Sequence, residues 1–264
     1  MAFVEQPGYR IHYQSFGRPE APPLLLIMGL GMASDAWDTL PSRLAARFHV
    51  VVFDNRGMGW SSASAAGFRI HDLADDAARV LDAVGIPQAS VFGISMGGMI
   101  AQELARRHPG RVRALVLGAT FGSQLRSHKP GLGVARDLLL VTLSSRSPRR
   151  MARLLVSDAF VARNPDRFAR WLGQLSRPQR PAARRQILAI ARHEAEDRLA
   201  RLRIPTLILS GDRDRLVPVE NSRRLARIIP RSRLLEFPGV GHAFPFERPD
   251  ETVRAVVEHC IAGA

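Results

Sequence analysis

The stretch VFGISMGGMIAQE, Val91 to Glu103, decides how this chain is read. A short apolar run meets residues with helical spacing at a single serine, and a glycine stands two positions to either side of it. A sharp turn from strand into helix forces its central residue into a strained backbone conformation and crowds the neighbours, so the flanking positions must lack side chains. Gly93 and Gly97 meet that demand. Such a turn lifts the Ser95 hydroxyl clear of a sheet. The following helix turns free amides and a positive dipole end toward any developing negative charge. Gly98 is expected to let that helix lie close on the sheet.

Outward from this turn, strand-like and helix-like segments alternate, the pattern of a parallel sheet covered by helices on both faces. Toward the N-terminus, Ile11 to Phe16 alternates like an edge strand. Leu24 to Met28 and Val50 to Phe53 read as buried strands, with helical spacing over Asp35 to Phe48 between them. Ile70 to Val84 is an amphipathic helix ended by Gly85 and Pro87. After Met96 to His108 comes the strand Val112 to Leu117. From Phe121 to about Leu202 no buried strand is evident, only helical runs broken by prolines and glycines. That block is expected to be an inserted helical cap, residues 121–202, on a core of 1–120 and 203–264. Alternation resumes with Thr206 to Ser210, Val219 to Ile229, Arg233 to Phe237 and Asp250 to Ile261.

Composition limits the function classes. The chain has 264 residues, 46% hydrophobic and 23% charged, ordinary values for a folded globular protein. Its formal charge of +14 suggests a nucleic-acid or membrane partner, but 37 of the 38 basic residues are arginines spread along the chain, with Lys129 the one lysine. The charge is read as a solvated basic surface, so no nucleic-acid partner is expected. Between Ser123 and Arg203 there are 18 basic and 6 acidic residues, a net of +12, so the excess is concentrated in the cap. Those arginines make attraction of an anionic substrate a second reading. Cys260 is the lone cysteine, which excludes an intramolecular disulfide and a cysteine zinc site. Neither a signal-like N-terminus nor a membrane-length apolar run is present. The expectation is a cytoplasmic protein without a membrane partner, its homo-oligomerisation left open.

Ligands of an open parallel sheet bind at the carboxyl ends of the strands. Ser95 is at such an end. An alkyl hydroxyl needs a base to become a nucleophile. His242, in PGVGHAFPFERP, lies just beyond the strand Arg233 to Phe237 at the same sheet edge. The imidazole in turn needs a carboxylate to fix its tautomer. LILSGDRDRLVP supplies Asp212 and Asp214. Asp214 is chosen because Asp212 adjoins Gly211 in the tight turn, where a turn-forming side chain bonded to backbone amides is expected. Two backbone donors for an oxyanion are assigned to Met96, after the nucleophile, and to Leu30, between Gly29 and Gly31 in MGLGM.

On these residues the chain resembles the α/β-hydrolase family over nearly its full length. The order Ser95, Asp214, His242 matches that family's order of nucleophile, acid and histidine. FDNRGMGWSS resembles its D-x-R-G-x-G-x-S segment, which implies structural roles for Asp54 and Arg56. The oxyanion loop departs from the family's frequent His-Gly start, beginning Met28-Gly29. The resemblance implies a mostly parallel twisted sheet with an inserted cap, and a serine hydrolase of esters or lactones needing no metal or organic cofactor. A carbon–carbon bond hydrolase, a thioesterase, a lyase, cyclase or cofactor-free oxygenase, and a binding protein with a vestigial site remain as alternatives.

Overall fold

The apolar runs of the sequence become strands of one sheet: β1 (Ala2–Gln6), β2 (Tyr9–Phe16), β3 (Pro23–Ile27), β4 (His49–Phe53), β5 (Ala89–Ile94), β6 (Val112–Gly118), β7 (Thr206–Gly211) and β8 (Ser232–Phe237). This computed structural model describes residues 2–62, 67–143, 148–175 and 180–262; the side chains of 138–143, 148–151, 180 and 262 lie outside the described set. The spatial order is β1-β2-β4-β3-β5-β6-β7-β8. From β4 onward in that order all pairs are parallel, while β1 and β2 add an antiparallel edge.

Why the central strands read as unbroken apolar runs follows from what their alternate side chains meet. Leu25 and Ile27 pack with Val51, Phe53, Val91 and Leu115 on one face. Leu24 and Leu26 pack with Val50, Val52, Phe92 and Val116 on the other. Both faces are covered, so the period-2 alternation of a strand carries no polar residues to reveal it.

The helices are α1 (Leu40–Leu44), α2 (Ile70–Ala83), α3 (Met96–Arg107), α4 (Leu132–Leu143), α5 (Pro148–Leu155), α6 (Asp158–Arg163), α7 (Pro165–Gln174), α8 (Arg180–Ala191), α9 (Glu196–Leu199), α10 (Val219–Ile228), α11 (Phe244–Glu247) and α12 (Pro249–Ala262). Two details differ from the sequence reading. The edge strand is β1, which pairs outside β2 in the register Ala2↔Tyr13 through a turn at Gly8, φ 81°. The run Asp35 to Phe48 is broken into a 3-10 turn, Ser34–Trp37, and the short α1, because Asp38 takes φ 53° and Pro41 sits in the first helical turn.

The helical insertion leaves the sheet after β6. Its neck closes where the Ala195 N–H donates to the Gly122 carbonyl at 2.7 Å and the Gln124 N–H donates to that of His193 at 2.9 Å. Phe160, Phe168 and Trp171 bury themselves in a separate cluster against Phe246, with Trp171 stacked on Phe246 at 4.5 Å between ring centroids. These aromatic residues pack the helical segment onto the core. Leu172 packs at the edge of the same cluster.

Candidate active site

Ser95 stands between β5 and α3 with φ 56° and ψ −122°, a left-handed conformation that costs a non-glycine residue free energy. The turn is tight enough to exclude Cβ atoms around it. One built at Gly93 would lie 2.1 Å from the Gly97 carbonyl oxygen, and one at Gly97 would lie 2.0 Å from that of Ile27. Both obstacles are backbone and cannot step aside. Gly98 serves a related end, since its Cβ would meet the Thr120 side chain at 2.7 Å. The neighbouring strand holds the turn: the Ser95 N–H donates to the Gly118 carbonyl, and the Thr120 hydroxyl donates to the Ser95 carbonyl, both at 2.8 Å. The Ser95 side chain stays partly open to solvent.

His242 follows β8, and its Nδ1 lies 2.7 Å from Asp214 Oδ2. A carboxylate can only accept here, so Nδ1 carries a proton, and Nε2 is the ring nitrogen left to face away from Asp214. The other carboxylate oxygen of Asp214 accepts the Leu216 and Val217 N–H groups at 2.8 and 2.9 Å. The Asp214 side chain is fully buried and that of His242 is 6% exposed, which shields their charge interaction from water. Asp212 instead accepts the Gly239 N–H at 2.7 Å, a turn-fastening role.

The structure thus joins Asp214 to His242 directly, and brings Ser95 to the same edge through Gly118, whose Cα side faces the Phe244 ring two residues beyond the histidine. Among the described residues no hydrogen bond joins the Ser95 hydroxyl to His242; such contacts often tighten only when substrate is seated. The loop after β3 closes over the serine, with a Cβ at Gly29 falling 3.1 Å from the Ser95 Cβ. Leu30 is half-buried beside it. Met96, the first residue of α3, has no helical carbonyl four residues back for its N–H.

Asp54 and Arg56 are structural here. Asp54 accepts the Ser34 and Trp60 N–H groups and lies 2.9 Å from His12 Nδ1. Arg56 grips Asp76 with two hydrogen bonds, at 2.5 and 2.9 Å, and lies over the Tyr9 ring. Burial, then the Asp76 contact, pushes the Tyr9 hydroxyl up to about 12.

Three polar residues around the site escape the sequence reading. Asn55 donates to the Met28 carbonyl at 3.0 Å and so fixes the start of the loop that carries Leu30. Glu247 accepts the N–H groups of Gly241 and Ser157 on one oxygen, both at 2.8 Å, and the Ser157 hydroxyl on the other at 2.5 Å. Gln186, on α8, accepts the Gly31 N–H at 2.9 Å. Only Gln186 leaves a trace in the sequence, as a lone polar residue on the helix face that carries the buried Ala182 and Ala189. Several arginines of the cap segment are paired: Arg126 with Asp197, Arg167 with the Phe246 carbonyl, Arg198 near Glu103. A crevice of about 310 Å³ between α2 and α8, lined by Arg69, Arg185 and Arg192 among others, includes none of Ser95, Asp214 and His242.

A strained serine elbow and a buried histidine–carboxylate pair at the carboxyl edge of a mostly parallel sheet define the class of protein. The family model described as "alpha/beta hydrolase fold" matches residues 22–249, and the chain belongs to that family. It is 31% identical over 244 residues, 91% of each chain, to a protein of Azorhizobium caulinodans named "Putative carbamate hydrolase RutD". It is 25% identical to 3-oxoadipate enol-lactonase 2 of Acinetobacter baylyi, over 93% of this chain and 91% of that one. Among solved structures, a hydrolase from Pseudomonas aeruginosa superposes with a TM-score of 0.85 at 26% identity, covering 98% and 97% of the two chains. Among the described residues no helix is long and apolar enough to cross a membrane.

Proposed function

We propose that the protein is a serine hydrolase of carboxylic esters or lactones of small to medium, partly apolar molecules. The single observation that carries the reading is the Asp214–His242 hydrogen bond at 2.7 Å, at the edge where Ser95 is held at positive φ. In this mechanism Ser95 Oγ attacks the carbonyl carbon as His242 Nε2 takes its proton. The carbonyl π pair moves onto oxygen, where the Leu30 and Met96 N–H groups stabilise it. Collapse expels the alkoxide, which takes the proton from His242. Water then repeats the sequence and frees the acid. Asp214 holds the imidazole and balances its positive charge throughout. A carbamate reacts by the same attack on a carbonyl, and the relative named as a carbamate hydrolase makes that the second substrate class to assay.

The test is Ser95→Ala against short p-nitrophenyl esters, with a fluorophosphonate probe as a second readout. Turnover is expected to fall at least a thousandfold and labelling to vanish, since the serine acts as one unit with its base. Undiminished turnover in the variant refutes the mechanism.

A further inference from the structure

Gln186 is wholly buried, at 0% exposure, yet among the described residues its Nε2 has no hydrogen-bond partner. Its orientation is not arbitrary. Oε1 accepts the Gly31 N–H at 2.9 Å, and turning the amide over would point two donors at each other. The free N–H group is therefore held in place at the rim of the loop whose Gly29 lies against Ser95. An interior donor without a partner is costly, and a residue that keeps one commonly does so for an acceptor supplied from outside. The surroundings select the kind of acceptor. Ala182, one turn before Gln186, packs with Ala33 and Met58 in an apolar cluster. Stripping a carboxylate of water in such a place costs far more than stripping a ketone or amide carbonyl.

We propose that Gln186 is the specificity residue contributed by the helical insertion, donating from Nε2 to an uncharged carbonyl oxygen in the acyl part of the substrate. This rests on the serine-hydrolase reading above. It assigns to Gln186 a second, structural duty through Gly31, and two substitutions probe the pair. Gln186→Met removes both acceptor and donor at similar volume; Gln186→Glu keeps an acceptor for Gly31 and, its buried carboxyl staying protonated, an O–H in the donor's place.

The probes are p-nitrophenyl levulinate, with a keto group in its chain, and p-nitrophenyl hexanoate, of similar length without it. Affinities are measured in the Ser95→Ala background, where binding needs no turnover, and kcat/KM in the otherwise native enzyme. Gln186→Met is expected to lose about tenfold in levulinate affinity, and Gln186→Glu, which keeps a proton to donate, less than that. Hexanoate affinity should hold within twofold in Gln186→Glu. Equal losses for the two esters in Gln186→Met, or none, overturn the proposal and leave Gln186 a purely structural partner of Gly31. Melting curves show whether each variant is folded; should the buried carboxyl of Gln186→Glu prevent folding, the levulinate-to-hexanoate ratio in Gln186→Met decides. Turnover surviving in Ser95→Ala instead strikes the catalytic reading, while the binding ratio still judges Gln186.

Discussion

The helical insertion meets the two catalytic loops in two places, and the two joints are built differently. On the histidine side the joint is closed. The Ala243 N–H donates to the Leu155 carbonyl at 2.7 Å, and Glu247 ties Gly241 to Ser157, so the residues before and after His242 are both fastened to the α5–α6 junction. Phe160, Trp171 and Phe246 pack beside it. On the oxyanion side, beyond the packing of Met32 on the Trp171 cluster, the polar tie to the loop among the described residues is Gln186 to Gly31, and a donor beside it is left over. A polar joint with every atom paired fixes geometry, whereas one with an atom to spare can take a ligand. On the proposed reading the difference is a division of labour: one end of the insertion sets the base, the other senses the substrate.

The largest expected effect breaks the closed joint. Glu247→Ala strands the Gly241 and Ser157 N–H groups in the interior and frees the loop that carries His242. A displacement of about 1 Å in a catalytic base costs on the order of a hundredfold, so kcat is expected to fall ten- to a hundredfold for every ester alike. Glu247→Gln keeps the oxygen that takes both N–H groups, and its amide can donate to the Ser157 hydroxyl in reverse. It should lose less than about threefold, as befits a replacement that keeps every bond. Equal kcat losses in the two variants would show that Glu247 acts through its charge and not by holding the loop.

The neck of the insertion gives the next effect. His193 is 3% exposed, contacts Gln102 at 3.2 Å and is held down to about 4 by burial, against the opposing pull of Glu103 and Glu194. The unfolded chain takes up this proton below about pH 6.5, the folded chain only below about 4, so the folded state loses ground as pH falls between those values. The loss from this one group is on the order of 3 kcal/mol. Denaturant unfolding at a series of pH values should show it, and His193→Gln should flatten that window. An unchanged profile in His193→Gln would remove the neck from the acid response.

How much of this was legible beforehand follows from where each signal resides. Ser95, Gly93 and Gly97 announce themselves because a strand-to-helix turn restricts residue type at fixed spacings, and the obstacles to a Cβ there are backbone. Asp214 was separable from Asp212 by its distance from the turn, and the structure gives Asp212 to the Gly239 N–H. Glu247 was not legible: a glutamate in ERPDE reads as solvated, and only the return of α5–α6 from ninety residues away makes it a buried acceptor. The edge strand was misplaced for a related reason. AFVEQ is short and mixed, and its strand character comes from pairing with β2.

The smallest effects sharpen the contrast between the joints most directly, because they ask about stability with catalysis left aside. Ser157→Ala removes a hydroxyl that donates to Glu247 and also accepts the Phe160 N–H at the start of α6, at 3.2 Å. Losing that bond and cap should cost about 1 kcal/mol, a drop in Tm of about 2–4 °C at this chain length. kcat should hold, since Glu247 still grips both backbone N–H groups. Gln186→Met gives up one hydrogen bond but also relieves the interior of an unpaired donor, so its Tm should move less than that of Ser157→Ala. If the methionine variant melts lower, the oxyanion-side joint bears structural load comparable to the other. The division of labour between the two ends of the insertion would then have to be redrawn.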